Sequence, residues 1–273
     1  MGRLSVQISV LSGKYLEKIL SSIRKYSELE VEIIVINSGD SARVTELCNR
    51  YSAIEVREKC GLLMSRYLGA AHSTGDYILI LDETRAPSDG LIRALLEHPS
   101  TMIAFPEVQM GRGLINHLDM IDKEIAMHNR KSINGIDLII PRFYESAILR
   151  KAFQNILVKI PAEIFKDIVA KDDRIIFYEV SKITKDTVAI STYPLLHFND
   201  TNIIMEVKKY SRYGSTSRLL IGTEYEFMLK LQDKFRRLHG FRDAEAFLLH
   251  ALRGVSFLAG FYMTRNGAER YSK

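Results

Sequence analysis

The sequence predicts an α/β fold: a Rossmann-type, mostly parallel sheet flanked by helices, with a helical C-terminal extension. Three observations carry this. Strand-like and helix-like periods alternate through residues 4–81, a pattern that gives parallel strands with helices on both faces. The composition is 47% hydrophobic and 26% charged over 273 residues, which is enough apolar surface for one substantial core. From Asn202 onward the apolar spacing is helical.

The elements follow in order. Leu4, Val6, Ile8 and Val10 alternate with Ser5, Gln7 and Ser9, the period of a strand. Leu16, Ile19, Leu20 and Ile23 follow at helical spacing. Val31 to Ile36 reads as a buried strand, and Asn37-Ser38-Gly39-Asp40 ends it in a turn. Val44, Leu47, Cys48 and Tyr51 give a second helix, Ile54 and Val56 a short strand, and Leu63 to Ala71 a third helix. Gly75-Asp76 then turns the chain into the strand Tyr77 to Leu81.

The second half is less regular. Met102 to Phe105 reads as a strand and Leu114 to His128 as a helix. Ile136 to Tyr144 reads as a strand interrupted at Pro141, hence an edge. Ile148 to Phe153 and Ile175 to Val180 are helical, and Thr187 to Phe198 is extended with a break at Pro194. The tail is helical with a turn near Gly240.

Several chemistries are excluded. There is no G-x-x-x-x-G-K-[ST] loop, no G-x-G-x-x-G after a strand, no G-x-S-x-G elbow and no H-E-x-x-H. Cys48 and Cys60 are the only cysteines, too few for a disulfide framework or a thiolate metal cluster. Met1-Gly2-Arg3-Leu4 leads straight into a strand pattern without a secretion leader, so the expectation is a cytoplasmic chain with reduced thiols. The most apolar late run, Ala246 to Met263, contains His250 and Arg253 and reads as non-spanning.

Charge is distributed unevenly. The formal net charge is +5, and residues 199–273 account for it with 13 basic and 8 acidic groups. Such a tail suits a polyanion such as a lipid headgroup or phosphate, or is a solvated helical surface. No nucleic-acid recognition motif accompanies it. Phe247, Leu248, Ala251, Val255, Leu258 and Tyr262 fall on one helical face, which either packs on the domain or meets a membrane surface.

In open α/β sheets, ligands bind beyond the carboxyl ends of the strands. Three ends carry chemistry: Ser12-Gly13, Asn37 to Asp40, and Asp82-Glu83-Thr84. Carboxylates at such an end suit a hard cation held against a diphosphate, or a turn cap. Asp172-Asp173 is a second acidic pair. Mutual repulsion can raise one pKa toward general-base use, while the alternative is an N-cap for the helix starting near Arg174.

The order of these features resembles family-2 glycosyltransferases of the GT-A fold. The stretches are Val6-Gln-Ile-Ser-Val-Leu-Ser12, Glu32-Ile-Ile-Val-Ile-Asn-Ser-Gly39, and Met64 to Pro87, where an arginine-containing helix precedes a Gly-Asp-Tyr strand and an acidic loop closing on proline. Lys171-Asp-Asp-Arg174, His197 and Lys208-Lys-Tyr-Ser-Arg-Tyr-Gly214 follow in the family's order. The resemblance covers roughly residues 4 to 220.

It implies a catalytic domain over residues 1–220 and a helical extension over 221–273. It also implies transfer of a sugar from a nucleoside diphosphate sugar, with inversion, to an acceptor such as a polyprenyl phosphate or glycan. Carried over by position, Ser12, Asn37, Arg66 and Asp82 line the nucleotide site. Asp82, Glu83 and His197 hold Mg²⁺ or Mn²⁺. Asp173, with Asp172 beside it, is the base. Lys208, Lys209 and Arg212 meet donor phosphate or acceptor.

Three departures stand out. Asn37-Ser38 replaces the family's aspartates, Thr84 stands at the metal-ligating position of the acidic loop, and Asp172 replaces glutamate. The chain has no Trp, hence no Q-x-x-R-W, which points to single transfer rather than processive synthesis. The competing expectation is a non-catalytic nucleotide-sugar-binding module.

Overall fold

The computed structural model describes residues 2–26, 29–128, 140–230 and 241–263, with residues 122–128, 230 and 241–246 as backbone alone. Among them the strands form two sheets. The larger has the order β3-β2-β1-β4-β8-β6-β9, from β1 (Leu4–Val10), β2 (Val31–Asn37), β3 (Ile54–Arg57), β4 (Tyr77–Asp82), β6 (Met102–Ala104), β8 (Phe143–Glu145) and β9 (Ala189–Ile190). β3, β2, β1 and β4 are parallel, with Leu4 paired to Val31 on one side and Tyr77 on the other. Helices α1 (Leu16–Arg24), α2 (Ala42–Arg50) and α3 (Leu62–His72) make the crossovers.

Every residue of β1 is buried, including the polar positions of its alternation. The sheet is covered on both faces, and those polar side chains meet partners there: Ser9 accepts from Ser65 at 2.7 Å, Gln7 donates to the Ser65 carbonyl at 3.1 Å, and Ser5 receives the Gly75 N–H at 2.9 Å. α3 lies close because Gly69 faces Gln7, where a Cβ would come within 2.1 Å.

β8 is central, antiparallel to both β4 and β6. The expected edge strand is therefore corrected. Pro141 precedes the paired segment, so its missing N–H interrupts no ladder bond. Residues 136–139 of that expected strand, and the turn near Gly240, lie outside the described residues.

A smaller sheet pairs β5 (Arg85–Pro87) antiparallel to β10 (Leu195–His197), and β10 parallel to β7 (Glu107–Gln109). It crosses the carboxyl end of β4. α4 (Leu91–Glu97) follows β5, and α5 (Leu114–His128) follows β7. α6 (Ser146–Lys159), the short α7 (Ala162–Phe165) and α8 (Asp172–Ile183) pack on the other face, where Tyr67 meets Phe153 and Phe165 edge-on.

The late helices are α9 (Ile203–Ser217), a 3₁₀ turn at Arg218–Leu220, α10 (Phe227–Lys230) and α11 (Phe241–Met263). Asn202 caps α9 by accepting from the Met205 N–H at 2.9 Å. α11 runs along α9 at very short range: a Cβ on Gly214 would lie 1.9 Å from the Phe257 carbonyl oxygen, and one on Gly260 1.8 Å from that of Ser211. Buried Arg253 locks the contact. It bonds Glu206 on α9 and Asp119 on α5, each at 2.7 Å.

The face of α11 turned inward carries Leu249, Arg253, Ser256 and Gly260. Leu248, Val255, Leu258 and Tyr262 point outward, Val255 being 69% exposed. The alternative in which that apolar stripe packs on the domain is thereby corrected. Small residues and a paired arginine make the closer contact. No helix among the described residues is long and apolar enough to cross a membrane.

Candidate active site

Parallel pairing brings the carboxyl ends of β1, β2 and β4 to one edge. The loop after β1 approaches the loop after β2 so closely that a Cβ on Gly39 would fall 1.8 Å from the Leu11 carbonyl oxygen. Glu83 fixes the first of these loops. Its Oε2 accepts the N–H groups of Ser12 and Gly13 at 2.8 and 2.7 Å, and the Ser12 hydroxyl at 3.1 Å. Asn37 is buried, and its amide donates to Glu55 at 2.7 Å and to the Ser41 carbonyl at 3.1 Å. It shapes the turn that follows β2.

Asp82 ends β4 inside a charged network. One oxygen, Oδ1, accepts from the Thr84 hydroxyl at 2.6 Å and the Thr84 N–H at 3.1 Å. The other pairs with Arg85, and Arg142 Nη1 stands 3.9 Å from it. Arg85 also donates Nε to Glu107 at 2.5 Å, and His197 Nδ1 lies 3.8 Å from Glu107. The small sheet makes this assembly. β5 supplies Arg85, β7 Glu107 and β10 His197, with His197 in register opposite Arg85. Burial works against ionising Asp82, but Arg85 and Arg142 hold its carboxylate well below the usual range.

A buried pair lies beside it. Arg66 on α3 and Asp172 at the start of α8 are 5% and 4% exposed, with Nε and Oδ2 2.5 Å apart. Burial opposes the Arg66 charge, yet Asp172, Asp173 and Asp82 together hold it above its ordinary value. Asp172 has the weaker position. Burial outweighs the attraction of Arg66, Asp173 adds repulsion, and the pKa is pushed up to about 6. The capping alternative is corrected: the N-cap is Lys171, at φ 66°, and both aspartates sit in the first turn. Asp173 is the more accessible of the two, and its Oδ1 accepts from the Arg174 N–H at 2.9 Å.

α9 closes the site. The Tyr213 hydroxyl is pushed up to about 12 by burial and by Asp172 and Asp82. Lys209 is half-buried with Nζ 3.7 Å from Glu206. Burial, helped by Arg253 and Arg85 and opposed by Glu206, draws its ammonium below the ordinary value. Lys208 is exposed, while Arg212 is half-buried one turn after it.

The model for glycosyl transferase family 2 matches residues 8–161, more than half of the chain and all of this strand-end frame. The chain belongs to glycosyl transferase family 2. This family member is 26% identical over 93 residues to the glycosyltransferase GlyG of Streptococcus pneumoniae serotype 4 (strain ATCC BAA-334 / TIGR4), covering 32% of this chain and 31% of that protein. The match thus spans about a third of the relative's length. Its fold is similar to S. aureus TarS 1–349 in complex with UDP-GlcNAc, with TM-score 0.52, 13% identity, and 98% and 77% of the two chains covered. It is also similar to glucosyl-3-phosphoglycerate synthase from Mycobacterium tuberculosis in complex with Mn²⁺, UDP and glucosyl-3-phosphoglycerate, with TM-score 0.51, 13% identity, and 81% and 79% covered. The fold is GT-A-like, with C-terminal helices added.

The donor set of this family-2 member does not fit a divalent cation. Mg²⁺ and Mn²⁺ want several oxygen ligands at close range. Both oxygens of Asp82 are already engaged by Thr84 and Arg85. Glu83 Oε2 is held by the loop after β1, and His197 faces Glu107. The expected trio Asp82, Glu83 and His197 is not brought together. No group of three or more His, Cys, Asp or Glu among the described residues has metal-holding geometry.

The structure does bring Arg66, Asp82, Asp172 and Asp173 into one electrostatic unit. The sequence reading missed Arg85, Glu107, Arg142 and Tyr213. Arg85 lay inside the quoted acidic loop, and Tyr213 inside the basic Tyr-Gly stretch. Glu107 and Arg142 had no motif around them.

Proposed function

We propose that the chain is an inverting, non-processive hexosyltransferase. It moves one sugar from a nucleoside diphosphate sugar to an acceptor hydroxyl or phosphate, a polyprenyl phosphate or a glycan. The observation that carries this is the buried Arg66, which couples Asp82 at the nucleotide end to the Asp172-Asp173 pair at the acceptor end.

In this reading Ser12, Asn37, Arg66 and Asp82 shape the nucleotide pocket. Asp173 accepts the acceptor's proton as that oxygen forms its bond to the anomeric carbon. The bond from that carbon to the diphosphate breaks, and its electron pair leaves on the diphosphate oxygen. Basic groups stabilise the departing charge. Asp172 positions Arg66 and keeps negative charge beside the base. Lys209 and Arg212 on α9 sit on the acceptor side, with Lys208 at its rim. Residues 1–220 form the catalytic domain and 221–273 its extension, whose outward stripe meets an anionic membrane surface peripherally on the cytoplasmic side.

A thermal-shift screen of UDP, GDP, ADP and CDP and their sugars tests the reading. A ligand bound by the native state raises its stability by RT ln(1 + [L]/Kd), about 2.7 kcal/mol at 100 Kd. A clear upward shift with one base is the expected result. No shift with any nucleotide would reject a nucleotide-sugar donor.

A further inference from the structure

The charged network at the end of β4 has an unusual composition. Two guanidiniums, Arg85 and Arg142, stand among two carboxylates, Asp82 and Glu107, so the spot already holds the charge of a divalent cation. The two arginines are not equivalent. Arg85 is tied on both sides, by Asp82 and by Glu107 at 2.5 Å. Arg142 stands off at 3.9 Å from each carboxylate, and its buried Nη1 donates no hydrogen bond. A buried guanidinium N–H without an acceptor is costly, and a phosphate oxygen is a matched acceptor for it.

The surroundings favour the same ligand. Burial, Arg85 and Arg66 together oppose the charge of Arg142 and outweigh the support of Asp82 and Glu107. An arriving anion relieves that crowding, whereas an arriving cation worsens it. Access exists as well. The side chains of Asp82, Arg85, Glu107 and Arg142 are each 13–20% exposed, so the cluster opens to one side.

We infer that Arg142, backed by Arg85, binds the donor's diphosphate directly, and that this guanidinium pair serves in place of a divalent cation. The inference rests on the nucleotide-sugar reading above. Arg142 turns its covered Nη1 toward the open side and donates to the diphosphate, while Arg85, paired with Asp82 and Glu107, offsets their repulsion of it. As the glycosidic bond breaks, charge gathers on the diphosphate oxygen that Arg142 already faces.

Calorimetry on the full chain tests this with UDP, GDP, ADP and CDP, each in EDTA and in excess MnCl₂. The best of these ligands is expected to bind with the same Kd in both media. Arg142→Gln should weaken it about tenfold or more in EDTA, the loss of one charge-assisted bond. Arg142→Lys should recover part of that loss. The corresponding monophosphate should bind more weakly and respond less to Arg142→Gln. Binding tenfold tighter in MnCl₂ than in EDTA overturns the inference and leaves the nucleotide reading intact. Unchanged affinity in a folded Arg142→Gln protein also overturns it. Absence of binding by every nucleotide in both media removes the donor reading itself. The EDTA comparison uses the natural chain, so it stands even if a variant fails to fold.

Discussion

Replacing Asp172 by Asn is expected to stabilise the protein at pH 7. The carboxyl is buried, and its pKa rises from the ordinary 3.8 to about 6 because burial and Asp173 outweigh Arg66. At roughly 1.4 kcal/mol per pH unit, that rise corresponds to about 3 kcal/mol. The folded state holds this proton to higher pH than the unfolded chain does. The stability it contributes is therefore complete below about pH 4 and is lost as pH climbs through 6.

Asn keeps the shape of the protonated acid and never ionises. The variant should match the natural protein near pH 4 and exceed it by up to about 3 kcal/mol at pH 7. Breaking a buried ion pair ordinarily has the opposite sign, a loss of about 3–5 kcal/mol, because the partner is stranded. Arg66 is not stranded here, since Asp173 and Asp82 also hold it. Urea unfolding of both proteins at pH 4.5 and 7 separates the two outcomes. A variant less stable at pH 7 by about 3–5 kcal/mol would refute the reasoning. It would mean that Arg66 depends on Asp172 alone.

Three further outcomes are expected. Asp173→Asn should lose about 10²–10⁴ in turnover with donor affinity unchanged in calorimetry; near-normal turnover would move the base elsewhere. Gly260→Ala should lower the melting temperature, because its Cβ would meet the Ser211 carbonyl at 1.8 Å and overpacking costs about 1–3 kcal/mol; an unchanged melting temperature would contradict the close α9–α11 crossing. Val255→Glu with Leu258→Glu changes exposed positions only and should abolish salt-sensitive cosedimentation with anionic vesicles; equal partitioning of variant and natural chain would assign the stripe another role.

The parallel half of the sheet was legible because each element carries its own period. Val31 to Ile36 reads as a buried strand from six consecutive residues, and α1 from four apolar positions. The small sheet had no such signal. β5, β7 and β10 are three residues each, too short for alternation to register. What they build is the heart of the site, so Arg85, Glu107 and His197 could not be seen as neighbours. Asp82, Arg66 and the Asp172-Asp173 pair were visible as an ordered set, but not their contacts. The ion pair of Arg66 with Asp172 joins α3 to α8, and no local spacing encodes it. α11 shows the limit of apolar periodicity. Its hydrophobic stripe marks a face, while the packed face is chosen by Gly260, Ser256 and the partners of Arg253.

Glycosyl transfer from a nucleotide sugar is tested most directly by turnover. Nucleoside diphosphate release would be followed for UDP-, GDP-, ADP- and CDP-sugars with polyprenyl phosphate or glycan acceptors, and the anomeric configuration of the product read by NMR. Release from one donor, an inverted product, and loss of both in Asp173→Asn are the expected results. Tight nucleotide binding with no release from any donor would contradict an enzyme and leave a binding module.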